Sequence, residues 1–279
     1  MQTGRASRTA LRVAIRRAAH QVADEPLILD DPIAVRLIGT GYARDLERAM
    51  HPVARDFRLY MCVRSRYAED RLALAVSQGV SQYVVLGAGL DTFAYRNPFT
   101  TLRVFEVDFP ATQEWKRQML ADATIQRPGN LTFVALDFEH RTLTEGLADA
   151  GFDLKAPAFF SWLGVVPYLT LDAFRSTIAA IAQMPLGTGV SFDYALPPET
   201  LTPQRRKVFD ALQERVTAAG EPLRLFFTAD QLERELRAAG FKRIEQFDTE
   251  RMNNAYFRNR ADGLKLSLAR VGMLATAWV

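Results

Sequence analysis

From residue 79 onward, apolar positions gather in short unbroken runs, separated by stretches where they recur every three or four residues. The runs at 83–86, 102–107, 131–136, 158–162 and 190–194 have the length and β-favouring content of strands buried on both faces of a sheet. A sixth strand is predicted at 243–247. Helical spacing predicts helices at 111–123, 143–150, 171–184 and 230–239, the last stopped by Gly240. Strands alternating with helices indicate a mainly parallel, doubly wound α/β sheet. Pro197-Pro198 interrupts the alternation and opens a polar helical insertion at about 197–222, after which the chain resumes at Arg224.

The first 78 residues carry helical patterns only. In residues 5–23, Leu11, Ile15, Ala18 and Val22 form an apolar stripe, with Arg12, Arg16 and Arg17 expected to face water. His20 falls opposite the stripe and reads as solvated. Asp31-Pro32 starts a short helix through Leu37. Residues 39–52 read as a turn, a short helix and a break. Residues 53–77 read as one long helix or two abutting ones, carrying Arg64 and Arg66. The expected organisation is a helical cap over 1–78 and a Rossmann-like catalytic domain over 79–279. Cap and insertion are both expected above the carboxyl edge of the sheet, as lids.

Composition narrows the partners. The 279 residues are 48% hydrophobic and 24% charged, ordinary for a globular chain. No apolar run approaches the roughly 18 residues of a membrane span. The net charge of +3 is too small and dispersed to suggest nucleic acid. Cys62 is the only cysteine, which excludes an internal disulfide and a multi-cysteine metal site, and fits a reducing, cytoplasmic setting. The expected partner is a small molecule, with no nucleic acid, membrane or metal.

The chemistry gathers around residues 83–96. A buried strand runs into Gly87-Ala88-Gly89, and a helix is predicted to start near Asp91-Thr92. Strand, glycine turn and helix N-terminus bring a nucleotide-like ligand against backbone. Thr92 stands where a dinucleotide fingerprint needs its third glycine, and no Gly-Lys-Ser/Thr follows, which argues against nicotinamide cofactors and a Walker loop. Asp108 ends the second strand about 20 residues further on, where a carboxylate accepts from ribose hydroxyls. Asp137 ends the third strand, and residues 161–169 follow the fourth. This order favours a nucleoside cofactor.

With these motifs the chain resembles the leucine carboxyl methyltransferase-like S-adenosyl-L-methionine (SAM)-dependent methyltransferases, in particular a bacterial branch that includes polyketide carboxyl O-methyltransferases. The marks are Ser7-Arg8-Thr9-Ala10, Asp31-Pro32, Val63-Arg64-Ser65-Arg66, residues 86–92, Phe105-Glu106-Val107-Asp108-Phe109-Pro110, and Tyr256-Phe257 followed by residues 260–264. The resemblance implies a class I methyltransferase fold, with SAM as cofactor and S-adenosyl-L-homocysteine (SAH) as product. It assigns Arg64 to the SAM carboxylate, Gly87 to the methionine moiety, Asp108 to the ribose, and Asp137 with Phe138 to the adenine, with Ala88 and Gly89 also in the cofactor site. Many relatives have Glu where this chain has Leu163, so a backbone carbonyl near Ser161 or Trp162 is the expected substitute toward the SAM amino group. Trp162, Tyr168, Tyr256 and Phe257 are expected around the acceptor.

A sulfonium methyl is already activated, so the protein's task is to align a nucleophile and exclude water. His20, His51 and His140 are the only histidines, and none lies in the fourth-strand motif. Tyr168 is the candidate catalytic residue, although a phenol near pKa 10 is a poor base. These features favour an acidic oxygen as acceptor, and with the resemblance the expected acceptor is a carboxylate or acidic hydroxyl of a secondary metabolite. The alternatives are C- or N-methylation of an aromatic product such as an indole, a nicotinamide oxidoreductase, or a non-catalytic SAM-binding protein.

Overall fold

A computed structural model of the chain describes residues 8–137, 140–218, 220–267 and 272–279. Its strands are β1 (Gln82–Leu86), β2 (Arg103–Asp108), β3 (Leu131–Ala135), β4 (Phe159–Trp162), β5 (Gly189–Ala195), β6 (Arg243–Phe247) and β7 (Gly272–Trp278). They form one sheet in the order β3-β2-β1-β4-β5-β7-β6. The pairings among β1 to β5 are parallel, and β7 runs antiparallel to both β5 and β6. This is the class I methyltransferase, Rossmann-like arrangement. The helices are α1 (Arg8–Ala23), α2 (Pro32–Ile38), α3 (Ala43–Met50), α4 (Arg55–Ser77), α5 (Pro110–Asp122), α6 (Leu143–Asp149), α7 (Leu171–Ala182), α8 (Pro203–Ala218), α9 (Ala229–Ala239) and α10 (Thr249–Tyr256).

Alternation along each strand separates two cores. On one face Val84, Phe105, Phe160 and Phe192 pack with Phe174 and Ile178 of α7 and Leu232 of α9. On the other, Tyr83, Val85, Val104 and Phe159 pack with Leu72 and Ala75 of α4. The α4 segment is one continuous helix, and its C-terminal half covers β1 directly.

Three expectations need correction here. No α-helix follows the glycine turn; residues Phe93–Tyr95 make only a single 3₁₀ turn. The Asp91 side chain accepts from the Phe93 N–H, Asn97 does the same for Phe99, and Pro98 bars helix at the residue before it. Strand β7 was not anticipated, because Gly272, Ala275 and Ala277 dilute its β character. It is held by non-local pairing, including a buried 2.6 Å bond between the Ser191 and Thr276 hydroxyls. Finally, α1 is rotated from the expected orientation. Ala14, Ile15, Ala18 and Ala19 are buried, but so are Arg17 and His20, while Val22 is 59% exposed.

Buried carboxylates explain that rotation. Arg58 donates twice to Asp24, from Nε and Nη2 at 2.7 Å each, and once to the Ala49 carbonyl. His20 Nδ1 lies 2.9 Å from Asp24 Oδ2, and its Nε2 accepts from the Ile28 N–H at 2.9 Å. Nε2 is therefore unprotonated and Nδ1 is the donor to Asp24. Burial pushes the Asp24 carboxyl up, but the bonds from Arg58 and His20 outweigh it and hold it at about 2. A carboxyl depressed in the folded state stabilises above its unfolded pKa, here near 3.8, and that contribution is lost as pH falls toward 2. The wild type should therefore lose on the order of 2 kcal/mol relative to Asp24→Asn between pH 5 and pH 2. Urea unfolding of both proteins at stepped pH checks this. A stability gap that does not change with pH would contradict the assignment.

Candidate active site

The carboxyl ends of β1, β2, β4 and β5 open into a cavity of about 280 Å³, roofed by α1, α4 and the segment that follows α8. Its floor is the glycine turn. Gly87 and Gly89 take φ of 63° and 49°, and a Cβ at Gly87 would stand 2.5 Å from Val165 Cγ2. Only glycine meets both demands there. Asp108 borders the turn: its Oδ2 accepts the Gly89 N–H at 2.5 Å and its Oδ1 accepts its neighbour's, Phe109 N–H, at 2.7 Å. Burial raises the Asp108 carboxyl, although these two N–H groups act the other way.

Arg17 clamps the same turn from above. Its Nη2 donates to the Leu90 carbonyl at 2.5 Å and its Nη1 to Asp91 Oδ2 at 3.2 Å. Burial would raise Asp91, but the charges of Arg17 and Lys116 prevail and lower it. On the opposite wall, Arg64 Nη1 donates to Asp193 Oδ2 at 3.1 Å, and Asp193 Oδ1 accepts the Gly164 N–H at 2.5 Å. Arg64, Gly164 and Asp193 all line the cavity, as do Ala88 and Ser161. The Tyr83 hydroxyl donates to Ser161 Oγ at 2.8 Å.

At its outer end the two expected lids touch. Thr9 Oγ1, in the first turn of α1, donates to a carboxylate oxygen of Glu221 in the segment after α8. Both residues line the cavity, together with Leu212, Leu223 and Tyr168. Burial chiefly pushes the Tyr168 hydroxyl up to about 12.

Not every expected residue comes here. Asp137 is absent from the cavity wall; its carbonyl accepts from the His140 and Arg141 N–H groups in the turn after β3. Phe138 lies outside the described residues. The Trp162 side chain points to the other face of β4, where it stacks on Phe174 with centroids 5.9 Å apart. Tyr256 and Phe257 belong to a cluster with Leu59 and Met252, and the Tyr256 hydroxyl donates to Asp70 at 3.0 Å. They buttress α4 rather than wall the cavity. None of the three histidines lines it either. Conversely, Arg17, Asp193 and Glu221 were not anticipated. An acid inside the apolar run 190–195 was the one available signal for Asp193.

A family model described as leucine carboxyl methyltransferase matches residues 10–182. The Bacillus subtilis protein YktD, assigned by name to the SAM-dependent methyltransferases, is 34% identical across 95% of both chains. The chain belongs to the leucine carboxyl methyltransferase family. It is thereby a SAM-dependent methyltransferase. A similarly named Mycobacterium marinum protein is 31% identical over 80% of this chain and 77% of its own. In fold, the chain is similar to a crystal structure of a Thermobifida fusca protein named as a methyltransferase. That match has a TM-score of 0.60 and 17% identity, over 99% of this chain and 96% of that one. No helix among the described residues of this family member is long and apolar enough to cross a membrane.

Proposed function

We propose that this methyltransferase acts on the acidic oxygen, a carboxylate or an acidic hydroxyl, of a small secondary metabolite. When bound, SAM supplies a methyl group already activated on a sulfonium. The residues around the cavity fit such a group: a glycine turn open to close approach, a carboxylate at the end of β2, and a buried Arg64 whose Nε has no partner. On this reading Asp108 receives the ribose hydroxyls, the backbone of Gly87, Ala88 and Gly89 carries the methionine end, and Arg64 takes its carboxylate. A guanidinium suits that planar, bidentate task. Residues 1–78 act as the cap. The Thr9–Glu221 contact joins the cap to the insertion at the outer end, which limits the access of water to the transfer.

The reading of the acceptor rests on one observation: the cavity holds no histidine, and burial raises the hydroxyls of Tyr168 and Tyr194 in its wall, keeping both protonated. Tyr168, pushed up to about 12, keeps its proton and is a poor proton acceptor near neutral pH. An acceptor that arrives already ionised needs no base. Methyl-labelled SAM should therefore transfer to carboxylic acids and acidic phenols, with a rate flat between about pH 6 and 9 once the acceptor is ionised. Label recovered instead on the carbon or nitrogen of an indole would overturn this choice of acceptor.

A further inference from the structure

We infer that Asp193 is a cofactor-binding residue. Its carboxylate takes the α-ammonium of the cofactor while Arg64 takes the α-carboxylate, so that one buried pair of opposite charges reads a zwitterion. The inference rests on the SAM reading of the cavity.

Arg64 and Asp193 come from α4 and from near the end of β5, and the side chain of each is only 8% exposed. A buried ion pair offsets its desolvation only with good geometry and full hydrogen bonding. This one falls short on its own: it makes a single N–O contact of 3.1 Å, and Arg64 Nε is buried without a partner. The guanidinium has five N–H donors in a planar fork, so engaging Asp193 leaves donors for a second carboxylate. Asp193 likewise holds Arg64 with one oxygen and the Gly164 N–H with the other, and each carboxylate oxygen has a second lone pair.

The remaining cavity acids have other commitments. Asp91 is held by Arg17 and Glu221 by Thr9, and Asp108 is taken by the ribose on the SAM reading. The β4–β5 register pairs Trp162 with Phe192, so Asp193 stands beside position 163, where Leu163 offers no charge. An amino-acid end group carries one charge of each sign a short distance apart. Two opposite charges side by side in the cavity wall are complementary to it, and either one alone would leave a buried ligand charge unpaired.

Asp193→Asn removes the charge and keeps an acceptor for the Gly164 N–H. Titration calorimetry would compare three ligands: SAH, 5′-methylthioadenosine, which lacks the amino-acid end, and deaminated SAH, which keeps only its carboxylate. The variant should bind SAH about 10- to 100-fold more weakly, the scale of a hydrogen bond to a charged group. Its affinity for methylthioadenosine should stay within about two-fold of wild type, since that ligand never reaches the pair. Wild type should bind deaminated SAH about as weakly as Asp193→Asn binds SAH. Equal losses of SAH and methylthioadenosine would overturn the proposal in favour of a role in β4–β5 packing. So would wild type binding deaminated SAH as tightly as SAH, and this ligand series decides the matter even if the variant fails to fold. Wild type binding none of the three would instead reject the SAM reading, and this proposal with it.

Discussion

Arg58→Met should lower the unfolding free energy by about 3–5 kcal/mol, the cost of removing one partner from a buried ion pair. The Arg58 side chain is 1% exposed, and no water can replace its three donors to Asp24 and the Ala49 carbonyl. What remains is a buried Asp24 with only His20 to hold it, and a carbonyl at the end of α3 with its charged donor gone. Methionine fills much of the volume, so the loss reports the charge rather than a cavity. Against a typical total of about 5–15 kcal/mol, such a change could leave little folded protein at 37 °C. Denaturant titration at 25 °C measures it. The double variant Arg58→Met/Asp24→Asn should recover part of the loss, because it no longer buries an uncompensated carboxylate. A loss under about 1 kcal/mol for Arg58→Met would mean that water reaches the site and that the triad does not hold the cap.

The second large effect is on binding. Asp108→Ala should weaken SAH by about 1.5–3 kcal/mol, roughly ten- to a hundred-fold, with little change in the stability of the free protein. The two properties separate for a physical reason. Burial raises the Asp108 carboxyl despite its two N–H partners, so ionisation there costs the empty fold, and that cost offsets part of what its bonds to Gly89 and Phe109 contribute. Its carboxylate faces a cavity where ribose hydroxyls would meet a charged acceptor. Calorimetry with SAH, paired with a thermal melt of the free variant, reads both quantities. An unchanged dissociation constant would move the ribose site away from β2. A large fall in the melting temperature would make Asp108 a fastener of the glycine turn first and a ligand group second.

Much of the architecture was legible because buried parallel strands write themselves as short apolar runs and their helices as three-to-four-residue repeats. β1 to β6 and most helices fall within a residue or two of where those patterns place them. The misses share a cause. Periodicity counts apolar side chains, whereas Arg17 and His20 are buried by partners such as Asp31, Asp91 and Asp24, and that pairing has no signature in spacing. Strand β7 is weak by composition and is specified by the gap between β5 and β6 that it fills. At the site, Gly87, Gly89, Asp108, Arg64, Ser161 and Tyr168 do share one cavity, as their places at strand ends and on the preceding helix suggested. Trp162 follows Ser161 directly in the strand, and a strand sends consecutive side chains to opposite faces, which takes the Trp162 ring into the core. Asp193 acquires its meaning only when α4 crosses the end of β5, a fact of tertiary structure.

Titration calorimetry of the wild-type protein with SAH, with NAD as the comparison ligand, tests the central claim most directly. The cavity should bind one SAH per chain near micromolar concentrations and give no heat with NAD. Absence of SAH binding to folded protein, or binding that Arg64→Gln and Asp108→Ala leave untouched, would contradict the account.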